Sequence, residues 1–488
     1  MISPIHKKGS KAVPENYRPI SLTSHVIKVF ERIVRDKLVH YLETNHLICH
    51  NQHGFRKGRS CLSELLIHFD DILSNRNEGK DTDAIYLDFE KAFDKVDHDL
   101  LLKKLTSYGI KGKLHTWIKA FLLNRTQVVA VDGVKSYPTV VISGVPQGTV
   151  LGPILFLIFI NDINTCIEHS TIRFFADDTR LIKAIDTIED VNKLQHDLDE
   201  VTKWSDKNNM KLHQNKSELL QHIFNPDAKL MKELPFVQYE TGYKTVDGSL
   251  IEPSTHVRDL GVTITHDLSW SHHINKIADK GRQAAAWVLG VFKARDSHTM
   301  MVLYKSLVRS HIEYCCPLWN PTLCRDIQTI EEIQRIFVRK INHLEGPHYW
   351  ERLINLNLMS LQRRRERYII IYMFKILKNL SPNDLQVSWY YNDRLGLKAI
   401  TPPKGKGKVS IHESSFSIAG PKLWNILPKH VTLQPTLSTF KSSLGEFLNH
   451  FPDTPPVKGY SPINSNSLID WVRQKATAKL LGGQRLAC

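Results

Sequence analysis

Three aspartates, Asp88, Asp177 and Asp178, stand where carboxylates can do chemistry. Asp88 closes the apolar run Ala84-Ile85-Tyr86-Leu87, so a strand with a buried backbone would deliver its carboxylate to a sheet edge. Asp177 and Asp178 occupy a tight turn between Phe174-Phe175-Ala176 and Leu181-Ile182. If these strands neighbour one another, the three acids meet on one patch of sheet. Like charges that close raise each other's pKa. Divalent cations with oxygen ligands relieve that repulsion, and Mg²⁺ takes one or two carboxylates together with substrate phosphates. Two such ions about 4 Å apart can clamp the attacking and leaving oxygens of an in-line phosphoryl displacement. A plainer reading is that Asp-Asp only makes a hairpin turn and Asp88 only caps a strand.

The elements that must position these acids follow from periodicity. Residues 1–20 read as extended, and 21–43 and 60–76 as helices from apolar spacings of three and four. A strand at Ala84–Leu87 precedes helices near 97–107 and 113–123. Val128–Val131 and Val140–Ile142 alternate around Asp132-Gly133 as in a hairpin. The stretch 151–163 reads as a buried helix, followed by strands at Ile172–Phe175 and Arg180–Ile182 and a long amphipathic helix over 188–209. Short strands fill 211–265, 270–380 reads as helix with a basic row at Arg363-Arg364-Arg365, and 385–415 as loop. The fold class expected is α+β followed by an all-α C-terminal region and a loosely ordered tail beyond 451.

With 488 residues, 42% hydrophobic and 24% charged, the chain can bury a large core and is not a disordered polymer. Lys+Arg 65 against Asp+Glu 50 leaves +15, which favours a polyanionic partner. Seven cysteines are odd in number and too few for a disulfide framework, which suits a reducing compartment. No leader opens the chain, and the apolar run 150–160 is too short to span a bilayer, so an intracellular protein off the membrane is expected. His311, Cys315, Cys316, Cys324 and His343 lack CxxC spacing and lie in an apolar-periodic stretch, so they read as buried structural residues rather than a zinc site.

Longer blocks carry a resemblance. Tyr86-Leu87-Asp88-Phe89-Glu90-Lys91-Ala92-Phe93-Asp94, Gly144-Val145-Pro146-Gln147-Gly148 and Phe175-Ala176-Asp177-Asp178 resemble, in order, the core motifs of reverse transcriptases, and more narrowly those of jockey-like non-LTR retrotransposons. Upstream, Pro4-Ile5-His6-Lys7-Lys8, Asn16-Tyr17-Arg18-Pro19-Ile20 and Gln52-His53-Gly54-Phe55-Arg56 resemble the fingers motifs. Downstream, Lys211-Leu212, Lys216-Ser217-Glu218, Asp259-Leu260-Gly261-Val262, Glu313-Tyr314-Cys315 and Leu423-Trp424-Asn425 continue it over about 3–450.

The resemblance implies a right-hand polymerase with an antiparallel palm sheet: fingers over 1–82, palm over 83–265 with inserted fingers elements, a helical thumb over 266–380, a basic region over 381–450 and a weakly ordered tail over 451–488. It implies RNA-directed DNA synthesis with two Mg²⁺ ions (or Mn²⁺), an RNA template, a DNA primer and deoxynucleoside triphosphates. Carried over, Asp88 and Asp177 would ligate both metals with Asp178 close by, and the Phe89 carbonyl would touch the nucleotide-side ion. Phe93 would block a ribose 2′-hydroxyl, or else be core beside Ala92. Gln147 and Gly148 would pack by the incoming nucleotide and template, Lys8 and Arg18 would grip the triphosphate, and Lys216 would protonate pyrophosphate, although His213 stands where relatives often carry Asn. Gln52 and Arg56 would reach template backbone, and Leu260-Gly261 would form a primer-contacting turn.

Relatives usually carry an apurinic-type endonuclease ahead of the polymerase, and the chain starts at the fingers block, so it resembles an element's derivative without that nuclease. The rival to an active polymerase is a retrotransposon-derived nucleic-acid-binding protein that no longer polymerises. A group II intron-type maturase is disfavoured by the Trp- and Arg-bearing helical region after 270. Cytoplasmic translation and a nuclear target follow by family analogy alone.

Overall fold

The computed structural model describes residues 1–213, 216–224, 242–245, 248–342, 346, 348–402, 414–460 and 465–474. Two compact units partition the chain: 1–60 with 80–254, and 61–79 with 255–488.

The first unit begins with the antiparallel hairpin β1 (Ile2–His6) and β2 (Tyr17–Ser21), then α1 (His25–Thr44). Helix α2 (Cys61–Asn77) belongs to the second unit. The first resumes with β3 (Asp81–Leu87), α3 (Ala92–Lys95), α4 (His98–Ser107) and α5 (Gly112–Leu122). Four two-residue strands follow: β4 (Thr126–Gln127), β5 (Ala130–Val131), β6 (Val134–Lys135) and β7 (Thr139–Val140). Helix α6 (Gly152–Ile160), strands β8 (Thr171–Phe175) and β9 (Asp178–Ile185), helix α7 (Ile188–Lys207) and strand β10 (Glu218–His222) complete it.

The central sheet has the order β10-β3-β9-β8, with every pair antiparallel. Strand β3 reads as a nearly continuous buried run, because it lies inside the sheet and neither face is solvated. Helix α6 is apolar on all sides and buried at every residue but Pro153. Its start is held from afar: the buried Glu31 carboxylate accepts the Val150 and Leu151 N–H groups at 2.7 and 2.9 Å, the place where a helix favours negative charge. Helix α7 opens with a capping box between Thr187 and Asp190 and packs on β9.

Two local readings shift. The hairpin at Asp132-Gly133 is tighter than alternation suggested: β5 pairs with β6 across it, while β4 pairs with β7 outside. Asp132 and Gly133 have φ of 49° and 84°, the backbone that a two-residue hairpin turn demands. The acidic turn is Ala176-Asp177 rather than Asp177-Asp178, because Phe175 pairs with Asp178, which already begins β9.

In the second unit, β11 (His256–Asp259) and β12 (Val262–Thr265) form a hairpin closed by Leu260 and Gly261 at φ of 44° and 89°. Helices α8 (Ser271–Val291), α9 (Ser297–Leu303), α10 (Arg309–Glu313), α11 (Cys324–Val338), α12 (Tyr349–Asn355) and α13 (Leu361–Leu377) follow. The region beyond is not all helix: β13 (Trp389–Asn392) pairs with β14 (Gly396–Ala399) inside the stretch read as loop. The Trp424 indole N–H bonds the Leu397 carbonyl, tying that hairpin to α14 (Phe416–Asn425) at 3.0 Å. Helices α15 (Lys429–Thr432) and α16 (Leu437–Leu448) close the unit. The described part of the segment beyond 451 is not loose: Asp453 accepts the Ser360 N–H and hydroxyl at 2.7 and 2.6 Å, and the Leu468 N–H donates to Glu366 at 3.0 Å. The Gly/Lys stretch at 404–408, His343 and residues 475–488 lie outside the described residues.

Candidate functional site

Strands β3 and β9 are adjacent, and their register runs out at Leu87 opposite Thr179. One step further, Asp88 leaves β3 beside Asp178, while Asp177 sits in the turn into β9. Asp88 is half exposed and its carboxylate is bound by the Lys216 ammonium at 2.9 Å. That lysine is brought in because residues 211–213 run beside 88–90: Phe89 bridges Leu212, the Glu90 N–H donates to the Lys211 carbonyl, and the His213 N–H to the Asp88 carbonyl. The Phe89 ring is buried, edge-on to Trp204.

The electrostatics show negative charge in excess. Burial, then the Asp178 and Asp88 carboxylates, push Asp177 up to about 6, with Lys7 opposing. Asp178 is raised too, by loss of surrounding water and by Asp88, against Arg180 and Lys7. Acids that repel beyond what Lys216, Lys7 and Arg180 offset fit a dication. Among the described residues no three His, Cys, Asp or Glu side chains are spaced to hold a metal alone. Two carboxylates sharing a hard cation with a substrate's phosphates remain a fitting donor set.

Around the acids, Phe93 on α3 stacks on Phe156 at 4.2 Å and meets Phe55 edge-on at 6.1 Å, so its ring is fixed. Gln147 donates its side-chain amide to Asp94 Oδ1 at 2.9 Å, and its backbone carbonyl accepts the Ser21 N–H at 2.8 Å. Asp94 is itself raised by burial, with Gln147 opposing. Gly148, at φ 88°, lies so close to β2 that an added Cβ would meet Ile20 Cγ2 at 3.0 Å. Lys8 and Arg18 are exposed on the β1–β2 hairpin. Leu260 and Gly261 lie in the second unit, where the Tyr314 hydroxyl donates to the Leu260 carbonyl at 2.9 Å.

Two side chains expected to reach template backbone bond inward. Gln52 is buried, and its amide is spent on the protein, donating to the Ala176 carbonyl at 3.3 Å and accepting the Ala176 N–H at 2.9 Å. Arg56 is likewise consumed: it forks onto Glu43 at 2.8 and 2.6 Å and donates to the Cys49 and Gln52 carbonyls. Both side chains are thus bonded into the protein. Lys7, whose charge acts on Asp177 and Asp178, and Asp94, which holds Gln147, were not singled out in sequence. Both lie inside the blocks quoted above, and only distance distinguishes Lys7 from Lys8. Among the metal-like residues after 300, Cys316 is buried and Cys324 is exposed at the start of α11.

A family model described as reverse transcriptase (RNA-dependent DNA polymerase) matches residues 5–264. The probable RNA-directed DNA polymerase from transposon BS of Drosophila melanogaster is 24% identical over 77% of this chain and 42% of its own length. The RNA-directed DNA polymerase from mobile element jockey of the same species is 27% identical over 69% of this chain and 37% of its own. The chain thus spans about two fifths of the length of these curated relatives. The solved telomerase of Candida Tropicalis in complex with a TWJ fragment of telomeric RNA is 11% identical over 86% of this chain and 56% of its own, at TM-score 0.38, a likeness that carries no argument.

Proposed function

From the chain's membership of the reverse transcriptase family, we propose that it is the RNA-directed DNA polymerase of a jockey-like non-LTR retrotransposon, extending a DNA primer on an RNA template. The observation that carries this reading is the pairing of β3 with β9, which gives Asp88 and Asp177 one shared deficit of positive charge.

Asp88 and Asp177, with the Phe89 carbonyl, are the residues that would hold Mg²⁺ or Mn²⁺, and Asp178 adds to the field. When bound, two such ions lower the pKa of a primer 3′-hydroxyl and neutralise a departing pyrophosphate. The chain's own share is positioning. Phe93, held rigid by Phe156 and Phe55, presents an aromatic wall to the sugar of the incoming nucleotide. Gln147, anchored by Asp94, and Gly148, which has no side chain, leave a narrow backbone shelf for that nucleotide. Lys7, Lys8 and Arg18 offer cations to the triphosphate, and Lys216 leaves Asp88 to give its proton to pyrophosphate. Leu260-Gly261 is the proposed primer-contacting turn. In this reading 1–82 are fingers, 83–265 palm, 266–380 thumb, 381–450 a basic region and 451–488 a tail. No described helix is long and apolar enough to cross a membrane.

The test is primer extension by the full chain with an RNA template, a DNA primer, four deoxynucleotides and Mg²⁺ or Mn²⁺. Extension by the wild type should fall by at least about 10²–10³-fold in Asp177→Asn, the scale of losing a preorganised electrostatic group. Binding of the hybrid without extension by either protein contradicts the polymerase reading and leaves a binding protein. Phe93→Val should admit ribonucleotides, read as the ratio of kcat/KM for the two sugars. Unchanged discrimination removes Phe93 from the wall.

A further inference from the structure

Residues 51–53 run parallel to the end of β8: the Phe174 N–H donates to the Asn51 carbonyl at 3.2 Å, and the His53 N–H to the Phe174 carbonyl at 3.0 Å. Beyond Phe174 this ladder stops, and the Gln52 side chain continues it. Its Oε1 accepts the Ala176 N–H at 2.9 Å and the Gly54 N–H at 2.7 Å, and its Nε2 donates to the Ala176 carbonyl at 3.3 Å. Two N–H donors on one oxygen fix which way the amide points, since the reversed amide would set donors against donors. Gln52 is only 3% exposed.

The residue so held is one that needs holding. Ala176 has φ of 60°, a left-handed backbone that L side chains adopt at a cost and keep only when their surroundings impose it. The clearance is equally specific: a Cβ on Gly54 would stand 2.4 Å from the Ala176 nitrogen. Asp177 is the next residue, and among the described residues no side chain bonds its carboxylate, which takes its own backbone N–H, so its place follows from the backbone of Ala176.

We propose that Gln52 is a positioning residue that sets the Asp177 carboxylate by holding the Ala176 peptide groups on both sides, with Gly54 giving the room. The role rests on the polymerase reading only for its catalytic consequence; the clamp itself is independent of it. A misplacement of about 1 Å at a reacting group can lower a rate by about 10². Gln52 therefore governs turnover rather than template affinity.

The experiment compares full-length wild type with Gln52→Met, which keeps the length but loses the bonds, and Gln52→Asn, which keeps the amide one methylene short. Gly54→Ala supplies the same disturbance with Gln52 intact. Three quantities are read: kcat and KM for extension, the Mn²⁺ midpoint from the free-ion spin-resonance signal, and hydrogen exchange at the Ala176 amide. The expected result is a fall in kcat of about 10²-fold, with KM for deoxynucleotide and affinity for primer–template unchanged, a higher Mn²⁺ midpoint and faster exchange at Ala176. Unchanged kcat, or lost primer–template affinity with kcat kept, overturns the proposal. If the wild type itself does not extend primers, the polymerase reading fails while exchange and Mn²⁺ binding still decide the clamp: unaltered Ala176 exchange in Gln52→Met overturns it. If Gln52→Met does not fold, Gln52→Asn and Gly54→Ala carry the same three readings.

Discussion

The acidic site of the first unit and the arginine row of the second treat charge in opposite ways. In the second, α13 buries Arg363 and Arg365, each bonded through part of its guanidinium, and gives Arg364 a carboxylate partner. Arg364 forks onto Glu313, one arm at 2.9 Å, and also donates to the Tyr368 hydroxyl at 2.7 Å. Arg363 reaches the Pro452 and Asn466 carbonyls, both at 3.1 Å, and Glu366 takes the Leu468 N–H. Glu331, pushed up to about 7 by burial, accepts the Tyr349 hydroxyl at 2.6 Å and the Leu361 N–H at 3.0 Å. The row that reads in sequence only as a basic row on a helix is thus interior scaffolding. In the first unit, Asp88, Asp177 and Asp178 repel one another, with Lys216 bound to Asp88 and Lys7 and Arg180 offsetting only part of the rest. Matched charges fix a fold; charges left short of a counter-ion create a place for one.

Substitutions on the two sides should therefore differ in kind. The largest expected effect on stability is Arg364→Met, which leaves Glu313 with Arg309 at 3.4 Å and the Tyr368 hydroxyl at 3.3 Å in a mostly buried site, at a cost of about 1.5–3 kcal/mol. Chemical denaturation measures it, and a cost below about 1 kcal/mol would make the pair an ordinary surface contact. A smaller effect is expected from Lys216→Met. Its pair with Asp88 is about two-fifths exposed on each side, so stability should change by less than about 1 kcal/mol. The same substitution leaves Asp88 uncompensated, so the titration of Asp177 followed by carboxyl NMR should move further up. A downward movement would break the contrast between the units.

Much of this was legible in sequence because the signals are local. The apolar run before Asp88, the paired strands around Asp177 and the helical periods of α1, α2 and α7 each follow from residues close in the chain. What escaped is long-range. Gln52 meets Ala176 across 124 positions, so a buried amide looked like a template contact. Arg56 meets Glu43 through a bend that no periodicity encodes. The one-residue shift of the acidic turn needed the strand register, and β13–β14 was hidden because strands of four residues carry little pattern. The burial of Arg363 and Arg365 was not legible, because charge is mostly solvated and the Arg363 partners lie up to about a hundred positions away.

The most direct measurement is the thermal stability of wild type and Asp177→Asn between pH 4 and 8, with and without Mg²⁺. The Asp177 carboxyl holds its proton more tightly in the folded chain, at about 6 rather than 3.8, so folding loses stability as pH rises through that window. At neutral pH the loss is at most about 3 kcal/mol. Asp177→Asn should accordingly be the more stable protein at pH 7.5 and equal to wild type near pH 4, and Mg²⁺ should stabilise wild type alone. An Asp177→Asn protein that is no more stable at pH 7.5, or that gains as much from Mg²⁺ as wild type does, would contradict a site kept short of positive charge.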